Sequence, residues 1–293
     1  MTTTAFLNAI FRNHRSRNMA RRLRSATIGI LQKITGATGS LPDFLIIGAQ
    51  RCGSSSLFAY LNGHPAILGS RHKEVHFFDN PDNYRRGEPW YRAHFLSLTK
   101  RRRLEQRIGV CPLVLEATPE YLYNAGAVER IHELLPSARL IALLRNPIDR
   151  AYSHYRFALA RGRINGPFEV AVNKALNALS DTESTNRPGF SAMPAELLHR
   201  GLYAQQIDRV LRKHPPERLL VIQAEDLFER PVEIYDETLE FLGLPHFPLE
   251  NTAIINSRPG PPMDSGVRNL LATFFKPHNA ALEELLGREF NWP

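Results

Sequence analysis

Residues 44–61, FLIIGAQRCGSSSLFAYL, join an apolar run, a glycine-bounded turn and a serine-led helix start in one short stretch. Phe44, Leu45, Ile46 and Ile47 are continuously apolar, as a strand buried on both faces requires. Gly48 and Gly53 bracket the turn. Ser54, Ser55 and Ser56 are placed to cap a helix whose apolar face is Leu57, Phe58 and Leu61. Such a turn leaves successive backbone N–H groups unpaired at the positive end of a helix dipole, and that end attracts an anion. The Gly48 to Gly53 spacing is that of G-x-x-x-x-G-K-[ST], but Ser54 stands at the lysine position. The loop's cation is Arg51 instead, which argues against an ATP or GTP hydrolase.

A second stretch, LIALLRNPIDRAYSHY at residues 140–155, repeats the pattern. Leu140 to Leu144 read as another buried strand, Arg145 stands at its carboxyl end, and Pro147 suits a first helical position. Ser153 comes two helical turns on, facing the same side as Asp149. A guanidinium and a hydroxyl converging there make a second phosphate contact, separate from the first. Two such contacts suit a nucleotide phosphorylated at two ends better than a single triphosphate chain.

Strand and helix alternate through the rest of the chain, with no internal repeat. Strands are expected at 44–47, 113–116, 140–144 and 219–223, with a short one near Ile67 and Leu68. Helices are expected at 55–61, 125–135, 148–160, 168–179, 202–213 and 232–242. The spacing of Val267, Leu270, Leu271, Phe274 and Phe275 is that of a core-facing helix, and Pro277 reads as the start of another. This order implies an α/β, P-loop-like three-layer fold: a central, mostly parallel sheet with helices on both faces and ligands at the strands' carboxyl ends.

The 293 residues fit one domain, 41–293, behind a basic extension, 1–40. With 37 basic against 29 acidic side chains, the charge of +8 favours an anionic partner. No helix-turn-helix, zinc-finger or RNP pattern supports nucleic acid. Cys52 and Cys111 are the only cysteines, which excludes a disulfide framework and paired-cysteine zinc spacing. Cys52 lies in the phosphate turn, where the helix terminus and Arg51 favour a thiolate; the plainer reading is a small residue filling a tight turn. No apolar run reaches the roughly 18 residues a membrane span needs, so the expected location is cytoplasmic. The extension carries Arg12, Arg15, Arg17, Arg21, Arg22, Arg24 and Lys33 and no acidic residue. It reads as solvated, with a peripheral amphipathic helix on an anionic membrane as the alternative. The run from Lys100 to Arg103, with Arg107, reads as a solvated loop, or as a patch for an anionic glycan.

Taken together, GAQRCGSSSL, KEVHFFD (73–79), ATPEYLY (117–123), LLRNPIDRAYSHY, GLYAQQIDRVLRKHPPERLLVIQAEDL (201–227), FLGLP and PPMD resemble the sulfotransferases that use 3′-phosphoadenosine 5′-phosphosulfate (PAPS). The likeness is to their heparan-sulfate and carbohydrate branch. It implies PAPS as sulfuryl donor, PAP as product, no required metal, and a small-molecule or glycan acceptor. The first motif corresponds to the 5′-phosphosulfate loop, here Gln50, Arg51, Cys52, Gly53, Ser54 and Ser55. The second is the 3′-phosphate motif, here Arg145 and Ser153. Glu74 falls where that branch has its general base, and His76 beside it, or His72, competes for the role. The resemblance also puts Thr118 and Tyr121 beside the acceptor and Tyr203 near the nucleotide. Arg258 falls in a loop closing over the donor. Lys73, with Arg71, is a candidate for the acceptor channel. Arg51 replaces the family's usual lysine; its guanidinium keeps the charge but does not donate a proton at ordinary pH. In an extended segment Glu74 and His76 project to one face. A P-loop kinase and a non-catalytic nucleotide or glycan binder remain the alternatives.

Overall fold

The structure is a computed structural model that describes residues 38–180, 195–255 and 260–292. Expectations for the extension before residue 38 and for Arg258 lie outside the described residues. Five strands form one sheet: β1 (Phe44–Gly48), β2 (Ile67–Gly69), β3 (Leu113–Ala117), β4 (Arg139–Leu144) and β5 (Leu219–Gln223). The spatial order is β2-β3-β1-β4-β5 and every pairing is parallel. All five residues of β1 are buried. Because successive side chains point to opposite faces, both faces of this central strand must be covered, as the run FLII requires.

The covering helices include α1 (Ser54–Asn62), α2 (Pro81–Tyr84), α3 (Gly87–Arg92), α4 (Leu98–Ile108), α5 (Ala125–Leu134), α6 (Pro147–Leu159) and α7 (Phe168–Ser180). They continue with α8 (Glu196–His199), α9 (Tyr203–Leu211), α10 (Ala224–Glu229), α11 (Pro231–Leu242) and α12 (Ser265–Leu286). The main core lies about the sheet. A second apolar cluster joins α6, α7, α8 and α12 through Ile148, Val172, Leu197, Leu271 and Phe275. This cluster fixes the orientation of α6, the helix that carries Ser153.

Two sequence expectations change here. The basic run from Lys100 to Arg103 is not a loop but the start of α4, capped by the Ser97 hydroxyl and ended by left-handed Gly109. Arg101 in it pairs with Asp43 at 2.9 Å, so that charge secures the entry to β1. Pro277 does not begin a new helix but lies inside α12. The buried positions Val267, Leu271, Phe275, Asn279 and Leu282 continue past it without a break in phase, and this packing outweighs one lost backbone bond. Leu270, on the same helix, faces solvent.

The sheet order places the ligand-binding edge. The chain passes from β1 outward to β2, returns to β3, then crosses β1 to reach β4. The strand order therefore reverses beside β1, where parallel α/β sheets open a crevice at their carboxyl ends. The turns after β1 and β4 come out side by side.

Candidate active site

The turn after β1 needs residues in unusual backbone states. Gly53 has φ +92°, and an added Cβ would lie 2.9 Å from the Phe228 ring, so glycine is required on both counts. Gly53 is itself the N-cap of α1, with no side-chain cap. The serines therefore do not cap α1 but form its first turn, where Ser56 Oγ instead accepts from the Ile255 backbone N–H at 2.9 Å. Arg51 is also left-handed, at φ 73°. For a residue with a side chain this state costs roughly 1–2 kcal/mol, a penalty tolerated where it aims a functional group.

Helix α6 begins with Pro147 at its first position and Asn146 as cap. Ile148, Arg150, Ala151, His154 and Tyr155 are buried on one side. Asp149, Tyr152, Ser153, Arg156 and Phe157 face the other way, at helical spacing, and line a cavity of about 490 Å³. The opposite wall is the β1 turn, with Gln50, Arg51, Gly53, Ser54 and Ser55; Glu74, Arg145, Arg161 and Phe228 complete much of the rest. The two phosphate motifs thus share one chamber, and Arg51 Nε donates to Ser153 Oγ at 3.1 Å. Four guanidinium groups line it against two carboxylates, Glu74 and Asp149, and Asp149 is held by Arg268 at 2.6 Å. A chamber of this size and sign suits a polyanion with a flat organic body. Apolar walls are present too, in Phe157, Phe228 and the exposed Ile254 and Ile255.

Glu74 reaches this chamber from the segment after β2. That segment is not extended: Glu74 and His76 are left-handed, at φ 64° and 53°. Their side chains still meet, 3.7 Å apart. His76 and Lys73 hold the Glu74 carboxyl down at about 2. Asp79, 2.7 Å from the His76 ring, and then Glu74 raise His76 to about 10, so the imidazole is a cation at neutral pH. Lys73 Nζ stands 3.0 Å from Glu74 Oε1 and 3.5 Å from Ser54 Oγ, shared between the carboxylate and the phosphate turn.

Three residues expected at the ligand lie behind the chamber wall. Thr118 and Tyr121 are fully buried and do not line the chamber. Thr118 donates to Glu116 and accepts from the His76 backbone N–H, while the Tyr121 hydroxyl accepts from that of Phe77 at 3.0 Å. They support the Glu74 segment from below. Tyr203 is buried as well; its hydroxyl donates to the Arg145 carbonyl at 2.9 Å, bracing the end of β4. Cys52 is not activated: burial raises its thiol to about 11 despite nearby arginines, as expected of a small residue filling a tight turn. Sequence reasoning missed Phe157, Arg156, Arg161 and Phe228. The first could have been found by stepping one helical turn from Ser153.

The fold and site define an α/β domain in which the turns after β1 and β4 open on one guanidinium-rich chamber. The chain belongs to the sulfotransferase domain family, whose pattern matches residues 41–257. It is 30% identical to human bifunctional heparan sulfate N-deacetylase/N-sulfotransferase 3 over 85% of its own length, and spans 30% of that relative. It is 25% identical to mouse heparan sulfate glucosamine 3-O-sulfotransferase 5, covering 86% of this chain and 74% of that one. A sulfotransferase from Alicyclobacillus acidocaldarius superposes with a TM-score of 0.65 at 29% identity, over 86% of this chain and 98% of the other. Membership of this family argues against the kinase alternative.

Proposed function

We propose that this chain transfers the sulfuryl group of PAPS to a saccharide acceptor, at a hydroxyl in preference to an amine. The observation that carries the reading is the single chamber in which Arg51, Arg145, Ser153 and Glu74 converge. The names of the relatives, which act on heparan sulfate, support the saccharide.

PAPS, when bound, supplies an activated sulfuryl group on a phosphate leaving group. The turn N–H groups, Gln50, Ser54 and Ser55 hold its 5′ end, and Arg145 with Ser153 the 3′-phosphate. Cys52 shapes the turn, and no metal is required for this division of work. Arg51 neutralises charge that grows on the leaving oxygen, a role that a guanidinium fills without giving up a proton. Glu74 accepts the proton of the attacking group. In the resting pocket its affinity for that proton is low. Lys73, shared with Ser54, can shift toward an anion at the turn, and this movement raises the proton affinity of Glu74 where it is needed. His76, charged and fixed by Asp79, orients the carboxylate rather than acting as the base.

The domain that carries this activity runs over residues 41–293. No helix among the described residues is long and apolar enough to cross a membrane. The basic and acid-free composition of residues 1–40 suits peripheral contact with an anionic membrane surface.

Incubation with labelled PAPS and unsulfated or partly sulfated glucosamine-uronate oligosaccharides tests the reading. Mass spectrometry is expected to show one added sulfate, lost in Glu74→Gln. Transfer to phenols or steroids and to no saccharide would overturn it.

A further inference from the structure

Phe157 is a half-exposed aromatic residue in a chamber otherwise rich in guanidinium groups, and no part of the reaction described above uses it. It sits one helical turn beyond Ser153 on the cavity face of α6. The guanidinium carbon of Arg51 lies 4.9 Å from its ring centroid, while Arg51 Nε donates to Ser153 Oγ at 3.1 Å. Helix α6 therefore meets Arg51 at two points: a hydroxyl takes one nitrogen and an aromatic ring supports the guanidinium.

We propose that Phe157 is a positioning residue that aims the Arg51 guanidinium at the 5′-phosphate end of the donor. The proposal rests on PAPS being the donor. A guanidinium is planar and weakly hydrated, so a ring can hold it while its outer nitrogens stay available to a phosphate. An arginine side chain brings long-chain rotamer freedom, which contacts to a ring and a hydroxyl restrict. Ser153 can accept from Arg51 and still donate its own hydroxyl proton to a 3′-phosphate oxygen, because a hydroxyl serves both roles. Ring and hydroxyl together let Arg51 reach one end of the nucleotide without withdrawing Ser153 from the other. Arg161 also stacks on this ring, at 3.7 Å, so a role of Phe157 as a perch for Arg161 alone must be separated.

Calorimetric titration of the full chain with PAP and with adenosine 3′-phosphate, which lacks the 5′-phosphate, makes the test. In Phe157→Ala and Phe157→Leu the Kd for PAP is expected to rise about tenfold, while that for adenosine 3′-phosphate stays within about twofold. Phe157→Tyr should restore PAP binding, Arg161→Ala should not reproduce the selective loss of PAP over adenosine 3′-phosphate, and Phe157→Ala should add little in an Arg51→Ala background. A general packing defect would weaken both nucleotides equally and would overturn the proposal, as would unchanged PAP affinity in both truncations. A wild-type chain that binds PAP no better than adenosine 3′-phosphate would overturn the donor assignment as well.

Discussion

Arg51 Nε and Ser153 Oγ meet at 3.1 Å although 102 positions separate them in the chain. The pairing of β1 with β4 brings their turns together, so a residue from each phosphate motif closes one chamber. In the proposed complex the donor's two anionic ends would meet groups in direct contact with each other.

Removing the hydroxyl tests that contact. In the proposed complex Ser153→Ala takes away a charge-assisted hydrogen bond to phosphate and one contact of Arg51, so PAP affinity is expected to fall about 10- to 100-fold. Calorimetry checks this, and a change below about twofold would show that Ser153 does not face the nucleotide.

Glu74 is separable from nucleotide binding. Glu74→Gln keeps size and polarity but removes the proton acceptor, and turnover is expected to drop on the order of 10²- to 10⁴-fold with PAP affinity nearly intact. Normal turnover would move the role to another group.

Thr118 gives a subtler readout, because it touches the backbone of His76 and not the chamber. In Thr118→Val the Glu74 segment loses its support, and turnover should fall about tenfold or more through misplacement, with unchanged PAP binding. Comparing kcat with the Kd for PAP checks it, and an equal loss in both would point to general unfolding.

Glu116 makes stability depend on pH. Burial raises this carboxyl from 4.5 to about 7, so the folded chain holds its proton after the unfolded chain has released it. The sign follows from linkage: between those values the unfolded state binds fewer protons, so stability falls as pH rises and levels off above about 7. Glu116→Gln should flatten that part of the curve of Tm against pH. A wild-type slope that persists in the variant would assign it elsewhere.

Much of this was legible in the sequence. The runs FLII and LIALL gave β1 and β4, because a strand buried on both faces needs uninterrupted apolar residues. The glycine bracket and Pro147 marked the two turns. Harder to read was anything set by tertiary contact: Lys100 to Arg103 passed for a loop since its helix buries no residue. Thr118 and Tyr121 passed for ligand contacts because a polar residue near a site reads the same whether it faces the chamber or supports it. The bends at Glu74 and His76 left no mark, since positive φ in residues other than glycine has no local signal. Phe157 was hidden by its type, an aromatic that usually signifies core.

The most direct measurement compares thermal stabilisation of the protein by PAP and by Mg-ATP. A chamber that takes both phosphates of PAP should give a clear rise in Tm with PAP, lost when the 3′-phosphate is absent, and little response to Mg-ATP. Stabilisation by Mg-ATP without any by PAP would contradict that reading of the chamber and the donor assigned to it.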